Sequence, residues 1–141
     1  MIYSLRDIVW LFFVYSFAGW CIEVCYAAIC RRKFVNRGFV NSPLCPIYGF
    51  GSVLFCIFLP ELRGNLFFLF LGGMVLATLL EYATGMAMEK IFRKKLWDYS
   101  EIKWNLSGYV CARYALLWGG LALLTMQVTN PLLCGFFRMI P

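Results

Sequence analysis

Of the 141 residues, 62% are hydrophobic and 19% aromatic, only 14% are charged, and the formal net charge is +6. A soluble domain of this length needs far more polar surface, so lipid must be the solvent for most of the chain. Nine of the thirteen Lys and Arg residues sit in two short clusters beside apolar runs, a membrane-orientation signal that argues against nucleic acid as a partner.

The chain contains no histidine, which removes the commonest general base and the commonest metal ligand. No catalytic set, metal site or cofactor motif emerges. Seven cysteines are an odd number, and most lie in apolar runs where cysteine serves as a small packing residue. Cys21 and Cys25 are one helical turn apart but do not form C-x-x-C.

Ser4-Leu5-Arg6-Asp7 has the form of a capping box, which starts the first helix near Leu5. From Ile8 to Cys30 only Ser16 and Glu23 break an apolar sequence of 23 residues, enough to span a core of roughly 30 Å at about 1.5 Å per residue. The second span, Val40 to Leu59, holds Pro43, Pro46, Gly49 and Gly51 in its first half. Proline removes a backbone donor, so regular helix is expected only from about Ile47 to Leu59. The polar turn from Pro60 ends at Asn65, placed to cap the third span, Leu66 to Met88.

The third span carries Glu81 and the small residues Gly72, Gly73 and Ala77. Beyond the basic run Arg93-Lys94-Lys95, residues 96–105 mix aromatics with charges and suit the membrane interface, with Trp97, Tyr99 and Trp104 as anchors. The fourth span is expected from Leu106 to Met126, interrupted by Arg113 and carrying Gly119-Gly120. Asn130-Pro131 then resembles a cap and first-turn proline, opening a piece from Leu132 to Ile140 too short to cross. The fold class is an all-α transmembrane, four-span helical bundle with a Pro/Gly-broken second span and a short C-terminal interfacial or re-entrant segment. It forms one integral membrane domain over residues 1–141.

The loops after the first and third spans hold nine Lys and Arg residues against three on the other side, which places those loops in the cytoplasm and both termini outside. The two halves also match in order. Glu23, Arg31-Arg32-Lys33, Asn41 and Cys45-x-x-Tyr48 correspond to Glu81, Arg93-Lys94-Lys95, Asn105 and Cys111-x-x-Tyr114. Repeat units over 5–60 and 65–126, each of two spans, would be parallel and would bring both glutamates to a shared centre.

Charges in hydrocarbon are costly, about 2.5 kcal/mol or more on the lenient scale, so intramembrane ionisable residues face protein or water and pair. Glu23 lies eight residues, roughly 12 Å, before the first basic cluster. Glu81 and Arg113 fall at comparable depth by the same count. The expectation is an Arg113 fork reaching Glu23, Glu81 or both. It would be either a structural ion pair or a ligand- or ion-binding site, with Asn41 and Tyr48 as neutral groups at its mouth. The small-residue seams are expected to serve self-association or docking to a partner.

At Asn36-Arg37-Gly38-Phe39, Cys45-Pro46-Ile47-Tyr48-Gly49-Phe50-Gly51, Trp97-Asp98-Tyr99-Ser100 and Asn105-Leu106 the chain resembles the CmpB-like, ABC-transporter type IV family of small bacterial membrane proteins. The resemblance covers nearly the whole length. It implies an integral protein of a bacterial cytoplasmic membrane and a permease component. Any ATPase would then be a separate chain, since no G-x-x-x-x-G-K-[ST] sequence is present. The leading reading is a small transporter, channel or permease subunit in contact with lipid, working as a homo-oligomer or with a partner membrane subunit. Two others stay open: a membrane-embedded enzyme using a carboxylate or Cys21 and Cys25, and a non-catalytic accessory or assembly protein.

Overall fold

A computed structural model describes residues 3–32, 44–93, 95 and 97–140. Helix α1 spans Leu5–Arg31 and opens on the capping box: Ser4 Oγ accepts from the Asp7 N–H at 3.1 Å while the Ser4 N–H donates to Asp7 Oδ2 at 3.2 Å. Helix α2 spans Pro46–Phe58, with Pro46 in the first turn, where its missing N–H costs nothing. The Asn65 side chain caps α3, Leu66–Phe92, by accepting from the N–H groups of Phe67 and Phe68. A short antiparallel ribbon follows, β1 at Asn105–Leu106 and β2 at Val110–Cys111, and leads into α4, Ala112–Leu124.

The chain thus forms an all-α, membrane-type bundle with almost no sheet. Helices α1, α3 and the stretch Ala112–Phe137 are long and apolar enough to cross a membrane, whereas α2 is shorter, at 13 residues. The core is apolar, with Leu11, Leu59, Leu69 and Met126 fully buried, and many large apolar side chains also lie on the surface. On α1, Leu5, Val9, Phe13 and Phe17 are exposed while Ser16 and Gly19 are buried, because lipid solvates the large apolar side chains.

The fourth span differs from its expected bounds at both ends. It begins at Ala112, because residues 105–111 are used in the ribbon, and it does not stop at Asn130-Pro131. A π turn at Thr125–Thr129 joins α4 to α5, Asn130–Phe137, as one helical run. Pro131 has no N–H to give, and the longer reach of the π turn, in which the Asn130 N–H bonds the Thr125 carbonyl, absorbs that loss without ending the helix. The Asn130 side chain is fully buried, with Oδ1 accepting from the Tyr15 hydroxyl at 2.6 Å. The C-terminal piece is therefore the end of a span packed against α1.

The small residues also act inside the chain. A Cβ on Gly73 would lie 2.1 Å from Ala122 Cβ, one on Gly72 would meet Leu59, and one on Gly119 would enter the Phe70 ring. These seams, expected to serve association, instead set the closeness of α3 to α4 and to the end of α2. Only Gly120 of that set faces open space.

Candidate functional site

Helices α1 and α2 form one antiparallel hairpin, α3 and α4 the other, and these two pairs make the most extensive contacts. In the first, the Gly19 backbone lies under the Tyr48 ring, and Gly49 sits over Phe12 and Ser16. Helix α2 consequently begins halfway along α1: the Cys45 N–H bonds the Ser16 carbonyl at 2.9 Å. That close approach sets Tyr48, the third residue of α2, so that its hydroxyl donates to Glu23 Oε1 at 2.7 Å.

The second hairpin repeats the arrangement with different donors. Glu81 is 6% exposed. Its Oε2 accepts from the Tyr99 hydroxyl at 2.9 Å and its Oε1 from the Trp118 indole at 3.2 Å. Tyr99 stacks on Tyr114, the third residue of α4, with ring centroids 5.1 Å apart. The hairpins meet where Tyr48 and Trp118 pack edge to face at 6.0 Å. An aromatic pair therefore separates the two carboxylate clusters.

The segment between α3 and α4 is built to deliver Tyr99. Asn105 holds the loop by donating to the carbonyls of Ser100 and Ile102 and accepting from the Gly108 N–H. Gly108 adopts φ +76, a conformation suited to glycine, and a Cβ there would crowd Asp98 and Lys95. Asp98 is hydrogen-bonded by Ser100 and lies 3.7 Å from Lys95. Those Ser100 bonds, with the lysine charge behind them, hold its carboxyl below the usual range.

Residues 97–105 do not simply lie flat in the interface as their composition suggested. Trp97 is half-buried over Gly85, its indole donating to the Tyr109 carbonyl at 2.9 Å, and Tyr99 turns inward, whereas Trp104 is exposed. Tyr99 and Trp118 are the two site residues that sequence reasoning missed. Trp118 was traceable, since it follows Tyr114 by one turn on the same helix face. Nothing in the spacing pointed to Tyr99.

Among the predicted site residues, Glu23, Tyr48 and Glu81 are brought into one region, and Asn41 lies outside the described residues. Arg113 does not join them. It is exposed, its guanidinium lies 5.9 Å from the ring of Tyr114, and it forms no ion pair with Glu23 or Glu81 among the described residues. Equal depth is not equal direction: Arg113 and Tyr114 are adjacent on a helix and so point about 100° apart. Cys21 is half-buried, Cys25 is exposed, and both are free thiols.

Taken together, a helical membrane bundle with a carboxylate enclosed by neutral aromatic donors is the architecture of an integral membrane protein with an internal polar site. The chain belongs to the family described as "Putative ABC-transporter type IV", whose model matches residues 10–141. Neither the curated proteins nor the solved structures include a match to it.

Proposed function

We propose that the protein is a small membrane transporter or permease subunit with a proton- or cation-linked site at Glu81, Glu23 and Tyr48. The observation that carries this is Glu81, a buried carboxylate held by two neutral donors, with no cationic partner among the described residues. Such a group in a membrane is expensive when ionised unless it takes up a proton or receives a cation, which is what a proton- or cation-linked site would use. Arg113, exposed on α4, has no role in the binding step.

The family assignment supports the transport reading, and under that reading a partner would supply any ATPase, since these residues carry no G-x-x-x-x-G-K-[ST] sequence. Two hairpins are few for a complete pathway, so a second copy or a partner membrane subunit would complete it. We also infer an ancestral repeat. Cys45 and Cys111 are both extended N-cap residues, Tyr48 and Tyr114 both sit in third position, and Arg32 and Arg93 both end their helices in left-handed conformation.

Flux tests this directly. In proteoliposomes loaded with a pH-sensitive dye, wild-type protein should dissipate an imposed proton, sodium or potassium gradient. Glu81→Gln, which keeps an acceptor for Trp118, should fold and reduce the rate at least about tenfold, and Glu23→Gln should also slow it. Unchanged flux in folded Glu81→Gln, or no wild-type flux with any of the three ions, sinks the proposal.

The basic clusters support a topology with both termini outside the cytoplasm. In a cysteine-free background, Gly64→Cys should react with an impermeant maleimide from outside, and Glu101→Cys only after permeabilisation. The reverse pattern would invert the assignment.

A further inference from the structure

A second polar feature lies at the opposite end of the bundle from the basic clusters, where α1 begins and α5 ends. A cavity of about 210 Å³ is lined there by Tyr3, Asp7, Arg63, Asn130, Cys134 and Arg138. This is below the roughly 300–1,000 Å³ of pockets for drug-sized ligands and suits a small charged group.

Its donors outnumber its acceptors. Arg63 Nε is buried without a hydrogen-bond partner. Asp7 pairs with neither Arg63 nor Arg138 among the described residues, and its Oδ2 is occupied by the Ser4 N–H. Two guanidiniums facing one carboxylate leave one positive charge in surplus. Tyr3, 5% exposed, accepts from Asn130 Nδ2 at 3.3 Å, yet its own O–H proton has no acceptor among the described residues. Burial raises the Tyr3 phenol above its ordinary value, so the proton stays on at neutral pH. Arg6, by contrast, is already used, bonding the carbonyls of Phe137 and Ile140.

We propose that this cavity binds the phosphate group of an anionic ligand, a phospholipid headgroup or a free phosphate ester, through Arg63, Arg138 and the Tyr3 hydroxyl. A planar guanidinium matches phosphate oxygens with two parallel bonds, and the Tyr3 proton supplies a third direction. Asp7 on the wall disfavours a more highly charged anion. The exposed apolar side chains of Leu132, Phe136 and Met139 on the same terminal stretch would lie along acyl chains in the lipid case.

The test is calorimetric titration of the purified full-length protein in neutral detergent, at constant chloride, with dihexanoylphosphatidylglycerol and separately with inorganic phosphate. Saturable binding of at least one probe is expected. The lipid alone identifies a headgroup site, phosphate alone a soluble anion, and both a site that recognises the phosphate itself. Arg138→Gln should weaken the bound probe about tenfold or more, and Tyr3→Phe about threefold. Arg63→Gln could disturb folding because its Nε is buried, whereas Arg138 is exposed and decides the matter. Unchanged affinity in folded Arg138→Gln, or no binding of either probe by folded wild type, overturns the proposal.

Discussion

A protein carrying Gly73→Leu is expected to lose the native contact between α3 and α4 and to unfold at markedly lower temperature than wild type. The Cβ alone would sit 2.1 Å from the Ala122 Cβ, where no rotamer can relieve the clash and only helix separation can. Overpacking of this kind costs about 1–3 kcal/mol for one or two added carbons and more for a full leucine. The decisive comparison is a methyl swap. Gly73→Ala alone should destabilise by about 1–3 kcal/mol. Gly73→Ala with Ala122→Gly restores one methyl at the crossing and exchanges helix propensity evenly, so it should return to within about 1 kcal/mol of wild type. Gly120→Leu, whose added Cβ meets nothing among the described residues, should not lower thermal stability. If the swap is no better than Gly73→Ala alone, the two helices do not cross at this point.

Removing the Glu81 carboxyl should be nearly as damaging, but through unpaired donors instead of volume. In Glu81→Leu the Tyr99 hydroxyl and the Trp118 indole both lose their acceptor. Each buried orphan donor costs about 1–3 kcal/mol, so a loss of roughly 2–6 kcal/mol is expected. Glu81→Gln keeps an acceptor for the indole and should lose only about 1 kcal/mol. Adding Tyr99→Phe to Glu81→Leu removes one orphan and should recover about 1 kcal/mol or more, a coupling that denaturant titration in mixed micelles can measure. Additive losses in that double variant would mean that Tyr99 and Glu81 are not bonded partners.

The sequence by itself determined the solvent of this protein, the long helices and the residues worth suspecting. Apolar runs of membrane length, a capping box at Ser4 and a cap at Asn65 depend on local composition and backbone donors, which act over one or two turns. The match of Cys45-x-x-Tyr48 to Cys111-x-x-Tyr114 was legible in the sequence, but that both cysteines are N-cap residues was not, since the fourth helix was expected to begin at Leu106. Depth along a helix could also be counted, which made Glu23 and Glu81 candidates without coordinates.

Azimuth and packing were decided only by the tertiary structure. Arg113 has the depth of a partner for the glutamates but turns to the outside of α4, while the neutral Tyr99 and Trp118 reach Glu81. The glycines could face lipid, a partner or a neighbouring helix, and Ala122, Leu59 and Phe70 claim three of them within the chain. Pro131 looked like a helix start because the local rule is sound, but burial of Asn130 against Tyr15 favours one continuous span, and a π turn accommodates the missing donor. In each case the side chain's chemistry allowed several partners, and the choice among them depended on which distant residue packing brought within reach.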